Sequence, residues 1–209
     1  MKFYDCSTAP SPRRVRIFIA EKGLDIPTVQ VDLRNGEHLT EAFRRLNPWC
    51  TVPVLELDDG TAISEAVAVC RYLEDAHPEP PLMGVDPRDR AVVAMWEHRF
   101  EIDGFLAVTE AFRNQARGLA GRALTGPDNV TQIPELVERG KARVERFFRD
   151  LDGRLADHPF VAGERYTIAD ITAQVAVDFA GWIKMSLPAE CGHAVEWYER
   201  VRARPSAAA

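Results

Sequence analysis

Four cysteines in 209 residues, at Cys6, Cys50, Cys70 and Cys191, are too few and too scattered for a disulfide framework, and none falls in a C-x-x-C pair. No histidine and cysteine stand at metal-ligand spacing, so no metal site is expected. Basic charge is also short. With 26 lysines and arginines against 32 aspartates and glutamates the net charge is -6, which argues against a surface built to hold nucleic-acid phosphates. The densest basic cluster, Arg13, Arg14 and Arg16, is too small for a nucleic-acid arm and suits a small anionic ligand or a solvated helix face. Phe3-Tyr4 begins a strand almost at once, with no charged-then-apolar leader before it, and no apolar run reaches the roughly 18 residues of a membrane span. The expectation is a cytoplasmic protein with neither a nucleic-acid nor a membrane partner. Internal repeats and low-complexity tracts are absent.

What is present is a chain with 46% hydrophobic residues, enough for one large core or two modest ones, and two compact domains are expected. Lys2 to Asp5 reads as a first strand, and Thr28 to Val31 as a second. Arg13 to Lys22 between them reads as a helix with Val15, Phe18 and Ile19 on one face and Gly23 as its stop. A helix over Glu41 to Leu46 and the strand pair after it complete the order β-α-β-α-β-β-α, ending near Ala76. That is the thioredoxin-like order, a parallel pair from the first crossover and an antiparallel hairpin closing the sheet. The stretch His77 to Pro87 is proline-rich and cannot continue a helix. We therefore expect an α/β domain over residues 1–77, a linker over 78–87 and an all-helical domain over 88–209. In the last, Val92, Trp96 and Phe100 mark one long helix, and Val137, Val144, Phe147, Phe148, Leu151 and Leu155 another. Gly118 to Pro134 between them reads as a loop able to overhang a site. Thr167 and Asp170 stand three apart before Ile171, Val175 and Phe179, a capping-box pattern whose meaning is structural.

The stretch from Thr51 to Ala66 says most about function. Pro53 opens a short strand of Val54, Leu55 and Leu57, Asp58-Asp59-Gly60 makes a tight turn, and Ser64-Glu65 enters a helix carrying Val69, Tyr72 and Leu73 on one face. Such a unit can hold an extended peptide. The proline forfeits a donor, and a cis Val52-Pro53 bond turns the neighbouring carbonyl and N–H outward, where a ligand can pair with them as an added strand. The helix N-terminus beyond offers N–H groups and positive potential to a carboxylate.

On these residues, together with Asn47-Pro48, Ala68-Val69, Tyr72-Leu73, Phe160-Val161-Ala162-Gly163 and Thr167-Ile168-Ala169-Asp170, the whole chain resembles the cytosolic glutathione transferases, and among them bacterial serine-type members. The resemblance implies a thioredoxin-like α/β domain followed by an all-α bundle, with glutathione as co-substrate. Val52, beside a cis Pro53, is then expected to pair with the peptide backbone. Glu65 accepts from the γ-glutamyl ammonium, Ala66 N–H donates to its carboxylate, and His38 reaches the glycyl carboxylate. Ala66 replaces the family's serine, which removes one hydrogen bond of about 0.5–1.5 kcal/mol but keeps the backbone donor. The family also implies a twofold homodimer, with Glu101 and Asp103 near where relatives lend an acidic group across it, and Trp49 over the ligand or at the subunit interface. A small apolar electrophile would meet Phe100, Phe105, Phe112 and Trp182 in the helical domain.

A glutathione-using enzyme must ionise a thiol whose unperturbed pKa is about 8.5. The loop Cys6-Ser7-Thr8-Ala9-Pro10-Ser11-Pro12 leads into the first helix, over the positive end of its dipole. Where serine-type members place the catalytic serine, this chain has Ala9. Ser11, Thr8 and Ser7 are the remaining catalytic candidates, each with the alternative of simply capping the helix, and no single hydroxyl is expected to be indispensable. Cys6 offers a mixed disulfide or plain burial. The expected reaction is conjugation of the glutathione thiolate to an electrophilic carbon. The alternatives are a glutathione-dependent peroxidase or thiol reductase and a non-catalytic binding protein of the same fold.

Overall fold

The computed structural model describes all 209 residues. They divide into one unit of Met1–Pro80 with Thr125–Asp128 and Ala209, and a second of Pro81–Leu124 with Asn129–Ala208. No helix is long and apolar enough to cross a membrane.

The first unit runs β1 (Lys2–Asp5), α1 (Pro10–Glu21), β2 (Thr28–Gln30), a 3-10 turn at Glu37–Leu39, α2 (Glu41–Leu46), β3 (Val54–Glu56), β4 (Ala62–Ser64) and α3 (Ala66–Ala76). The sheet order is β2-β1-β3-β4, with β1 parallel to β2 and antiparallel to β3, and β3 antiparallel to β4. This is the expected thioredoxin-like topology. Side chains alternate across a strand, so the cross-strand pair Tyr4 and Val54 faces one side and the pair Phe3 and Leu55 the other. Tyr4 and Val54 pack with Val31, Phe43 of α2, Val52, Leu33 and Leu46. On α1 the buried face is Val15, Ile17 and Phe18, with Ile17 taking the place expected of Ile19. Packed against it, α3 buries Val69, Cys70 and Leu73.

Boundaries differ from expectation by one to three residues, α1 ending at Glu21 rather than Lys22 and β3 at Glu56 rather than Leu57. Helix α1 begins at Pro10 rather than Arg13, because a proline at the first helical position has its φ already set and loses only an N–H that has no intrahelical partner there. Strand β2 ends at Gln30, although Val31 N–H still bonds to Asp5 O at 2.7 Å.

The second unit contains α4 (Pro87–Phe100), a π-helical turn at Glu101–Phe105, α5 (Leu106–Gln115), α6 (Glu135–Leu155), α7 (Ile168–Ala180) and α8 (Gly192–Arg202), with short 3-10 turns between them. Helix α7 is buried at every position but Asp178. Its capping box is formed as expected. Asp170 accepts from Thr167 N–H and Oγ1–H, Val161 N–H at 2.9 Å and Trp197 Nε1–H at 2.9 Å, and burial pushes its carboxyl up to about 6. Helices α5 and α6 meet at Gly140, where a Cβ would fall 2.8 Å from Ala107 O, closer than packing allows. In the proline-rich stretch, Leu82 and Met83 are buried, and Leu82 O accepts from Ile168 N–H. The segment after α5 is tied down rather than loose. Arg113 donates to Arg122 O and Leu124 O, Gln132 to Arg113 O and Ala116 O, and Ile133 N–H to Asn114 Oδ1.

Candidate active site

The register of the sheet assembles the site. Val54 pairs with Ser64 and also with Tyr4, while Asp5 pairs with Gln30. In consequence Val52-Pro53 ahead of β3, Glu65-Ala66 behind β4, the Cys6–Ser11 loop behind β1 and the segment leading from β2 to His38 all emerge at one end of the sheet. Elements far apart in sequence thus deliver the expected residues to one edge.

The Val52-Pro53 bond is cis, as expected. Val52 is 9% exposed, and neither its N–H nor its carbonyl is bonded within the chain, which leaves an extended ligand a donor and an acceptor. Glu65 holds φ 69 and ψ 125, a backbone conformation that costs a non-glycine residue energy, and its side chain is exposed and makes no cap to α3. The first turn of α3 contains no acidic residue, so its N–H groups stay available to an anion. His38 is half-buried in the 3-10 turn, and Trp49 stands 66% exposed.

Few backbone donors from Ser7 to Pro12 remain open to a ligand. Ser7 N–H is taken by Gln30 Oε1 at 2.9 Å and Ala9 N–H by Cys6 O at 2.8 Å, and Pro10 and Pro12 have none. Only Thr8 and Ser11 keep unbonded N–H groups. Ala9 is the N-cap of α1 and makes no side-chain cap. None of Ser7, Thr8 and Ser11 therefore serves as N-cap. Ser11 lies inside the first turn, where its Oγ accepts from Arg14 Nη2 at 3.2 Å; its own O–H has no acceptor in the chain and is available to donate. Thr8 is exposed, with Oγ1 3.5 Å from Cys6 Sγ, and Ser7 is exposed with both its backbone groups engaged. The basic cluster is not a solvated face, since Arg14 is 4% exposed and Arg16 is bonded to Asp5.

Asp5 and Gln30, which touch this loop, were not evident from sequence, where each reads as an ordinary strand residue. Two expectations from the helical unit are corrected. Asp103 is buried among Arg146 at 2.9 Å, Arg99 at 3.2 Å and Arg143 at 3.5 Å, so it is spent on its own chain rather than free to reach an ammonium. Phe100 is 1% exposed and packs edge-on to Phe147, so it belongs to the core. Phe112 and Trp182 instead form the open end of an aromatic cluster with Phe179 and Phe105, with ring centroids 5.1 to 5.8 Å apart and Trp182 47% exposed.

Known proteins share this organisation. Residues 8–76 match the family model of the glutathione S-transferase N-terminal domain, and residues 121–205 that of the C-terminal domain. The chain is 35% identical to glutathione S-transferase 2 of Saccharomyces cerevisiae over 99% of its own length and 87% of the relative's. It is 28% identical to the disulfide-bond oxidoreductase YfcG of Escherichia coli over 97% and 91%. A crystal structure of a glutathione S-transferase domain-containing protein from Marinobacter aquaeolei superposes with a TM-score of 0.91 at 42% identity, covering 99% of both chains. The chain belongs to the glutathione S-transferase family of enzymes.

Proposed function

We propose that this protein binds glutathione at the exposed end of the sheet and transfers its thiolate to small, apolar, electrophilic compounds. The observation that carries the reading is the unbonded main chain of Val52 beside the open N-terminus of α3, one suited to a peptide backbone and the other to its carboxylate. Glu65 takes the γ-glutamyl ammonium, Ala66 N–H the neighbouring carboxylate and His38 the glycyl carboxylate. Bound glutathione loses its thiol proton to solvent. The sulfur lone pair then forms a bond to an electrophilic carbon, and the leaving group departs with its bonding electrons. Among the three candidate hydroxyls, Ser11 is favoured as the donor to the thiolate, because Arg14 occupies its oxygen and leaves its proton to give. Phe112 and Trp182 offer the apolar surface for the electrophile.

The enzyme works as a homodimer in this reading. Met95 at 55%, Ile102 at 37% and Leu106 at 45% exposure form an apolar stripe along α4, the π-helical turn and α5, the kind of surface a second copy covers.

Calorimetric titration with glutathione, followed by a pH titration of thiolate absorbance and turnover of an activated aryl chloride, tests the proposal. Saturable binding, a depressed thiol pKa and chloride release are expected. Binding without ionisation would make the protein a glutathione-binding module instead. A second reading, thiol–disulfide exchange, is favoured by the half-buried Cys6 beside Thr8 and by the Escherichia coli relative. There a thiolate attacks a disulfide sulfur, the new S–S bond forms and the other sulfur leaves as thiolate. Faster turnover of a small disulfide than of the aryl chloride, lost in Cys6→Ser, would establish it.

A further inference from the structure

Asp5, at the end of β1, is 1% exposed, and a carboxylate in that position is stable only if paired and hydrogen-bonded. It is held from two sides. Arg16 Nη1 donates to Oδ1 at 2.6 Å, and Gln30 Nε2 donates to Oδ2 at 2.7 Å. Neither partner stops there. Arg16 also donates from Nη1 to Cys6 O at 3.3 Å and from Nη2 to Ser7 O at 3.0 Å, while Gln30 Oε1 accepts Ser7 N–H at 2.9 Å. Gln30 is exposed, where ordering a long side chain costs rotamer freedom, yet both ends of its amide are in use. One closed network therefore joins β1, β2 and α1, and its outer contacts are all to the backbone of Cys6 and Ser7.

That grip has a geometric consequence one residue further on. The only cis bonds in the chain are Val52-Pro53 and Glu79-Pro80, so the Ser7-Thr8 peptide is trans, and its N–H points opposite to its C=O. With Ser7 O drawn to Arg16, Thr8 N–H is turned away from the guanidinium. It has no acceptor in the chain. Pro10 and Pro12 have removed two of the backbone donors that a helix start normally supplies, so the direction of this remaining one counts for more. The charge of Arg16 is balanced by Asp5, so the network acts by orientation and not by adding positive potential.

We propose that Asp5, Arg16 and Gln30 are positioning residues that hold Thr8 N–H as a main-chain hydrogen-bond donor to the glutathione thiolate. The proposal rests on the glutathione reading above and adds to the Ser11 hydroxyl a donor that no side-chain substitution can remove directly. It locates the control of that donor in three residues outside the loop, one of them on β2.

The test uses the full-length protein with glutathione as the probe, comparing wild type with Gln30→Leu, Arg16→Lys and Asp5→Asn. Gln30 is at the surface, so Gln30→Leu keeps the experiment decisive even if the buried Asp5 variant fails to fold. In Gln30→Leu and Arg16→Lys the thiol pKa of bound glutathione should rise and kcat fall by about 3–10-fold, the worth of one misaligned hydrogen bond, with KM for glutathione within about twofold of wild type. A merely structural role would lower the unfolding midpoint and leave the thiol pKa where it was. Failure of wild type to ionise bound glutathione would overturn the functional reading and this proposal together. A normal thiolate in wild type and an unchanged thiol pKa in both Gln30→Leu and Arg16→Lys would overturn this proposal alone.

Discussion

Lys22 Nζ lies 2.6 Å from Glu74 Oε2 with the lysine side chain fully buried and the glutamate side chain 9% exposed. The same ammonium donates to His77 O at 2.7 Å, Pro78 O at 3.3 Å and Pro80 O at 2.7 Å, and sits 5.5 Å from the Phe18 ring centroid. One side chain at the end of α1 thus fastens the end of α3 and the proline-rich segment after it. Lys22→Met removes the buried ion pair with Glu74 and the ammonium's bonds to three carbonyls, and should lower stability by about 3–5 kcal/mol, measured by urea unfolding. Lys22→Met combined with Glu74→Leu should recover part of that loss.

In the proposed site Glu65→Gln removes the charge-assisted contact to the γ-glutamyl ammonium and should weaken glutathione binding by about 1–2 kcal/mol, read by calorimetry. Ala66→Ser, which restores a hydroxyl at the first position of α3, should strengthen binding by about 0.5–1.5 kcal/mol. Unchanged affinity in Glu65→Gln with the fold intact would remove the ammonium contact from the site.

Ser11→Ala should lower kcat by up to about 10²-fold and raise the bound thiol pKa, as loss of a donor to developing charge does. Thr8→Val and Ser7→Ala, whose side chains lie outside the helix, should change kcat by less than about threefold. A pH titration of bound glutathione in the three variants decides between them. A larger effect from Thr8→Val than from Ser11→Ala would reverse the assignment.

Burial raises the Asp170 carboxyl from 3.8 to about 6, against four hydrogen bonds that favour the charged form. The folded protein therefore holds a proton there that the unfolded chain releases, so this group's contribution is full below about pH 4 and is lost as pH rises through 6. Relative to Asp170→Asn, which does not titrate, wild-type stability should decline by about 2 kcal/mol between pH 4 and 7. Parallel unfolding curves for the two proteins across that range would refute the shift.

Met95→Glu with Ile102→Glu places charge on the exposed apolar stripe of the helical unit. Wild type should sediment as a dimer at micromolar concentration and the double variant as a monomer with the same circular dichroism. A monomeric wild type would remove the dimer from the proposed function.

Much of the α/β unit was legible because its signals are local. Phe3-Tyr4 and Val54-Leu55 in their strands, Gly23 after the first helix and Pro53 at a strand start each act within a few residues. The start of α1 was misplaced for a local reason too, since Pro10-Ser11-Pro12 reads as a loop until the first proline is recognised as a helix opener. Long-range pairing lay beyond that reading. Arg16 belongs to a basic cluster in sequence and is turned toward β1, where Asp5 accepts from it. Asp103 looks like a free acid until three arginines, two of them from α6, close on it.

By itself the sequence determined the order of elements, the capping of α7 by Thr167 and Asp170, and the place of Pro53 at a strand start. These follow from spacing, from the fixed φ of proline and from side chains that bond to their own backbone neighbours. Only the tertiary structure decided which backbone donors of the Ser7–Pro12 loop stay open and which acids are spent. Whether a polar group is available depends on who else reaches it, and residues 5, 16 and 30 come together only through the register of β1 with β2 and the crossover of α1.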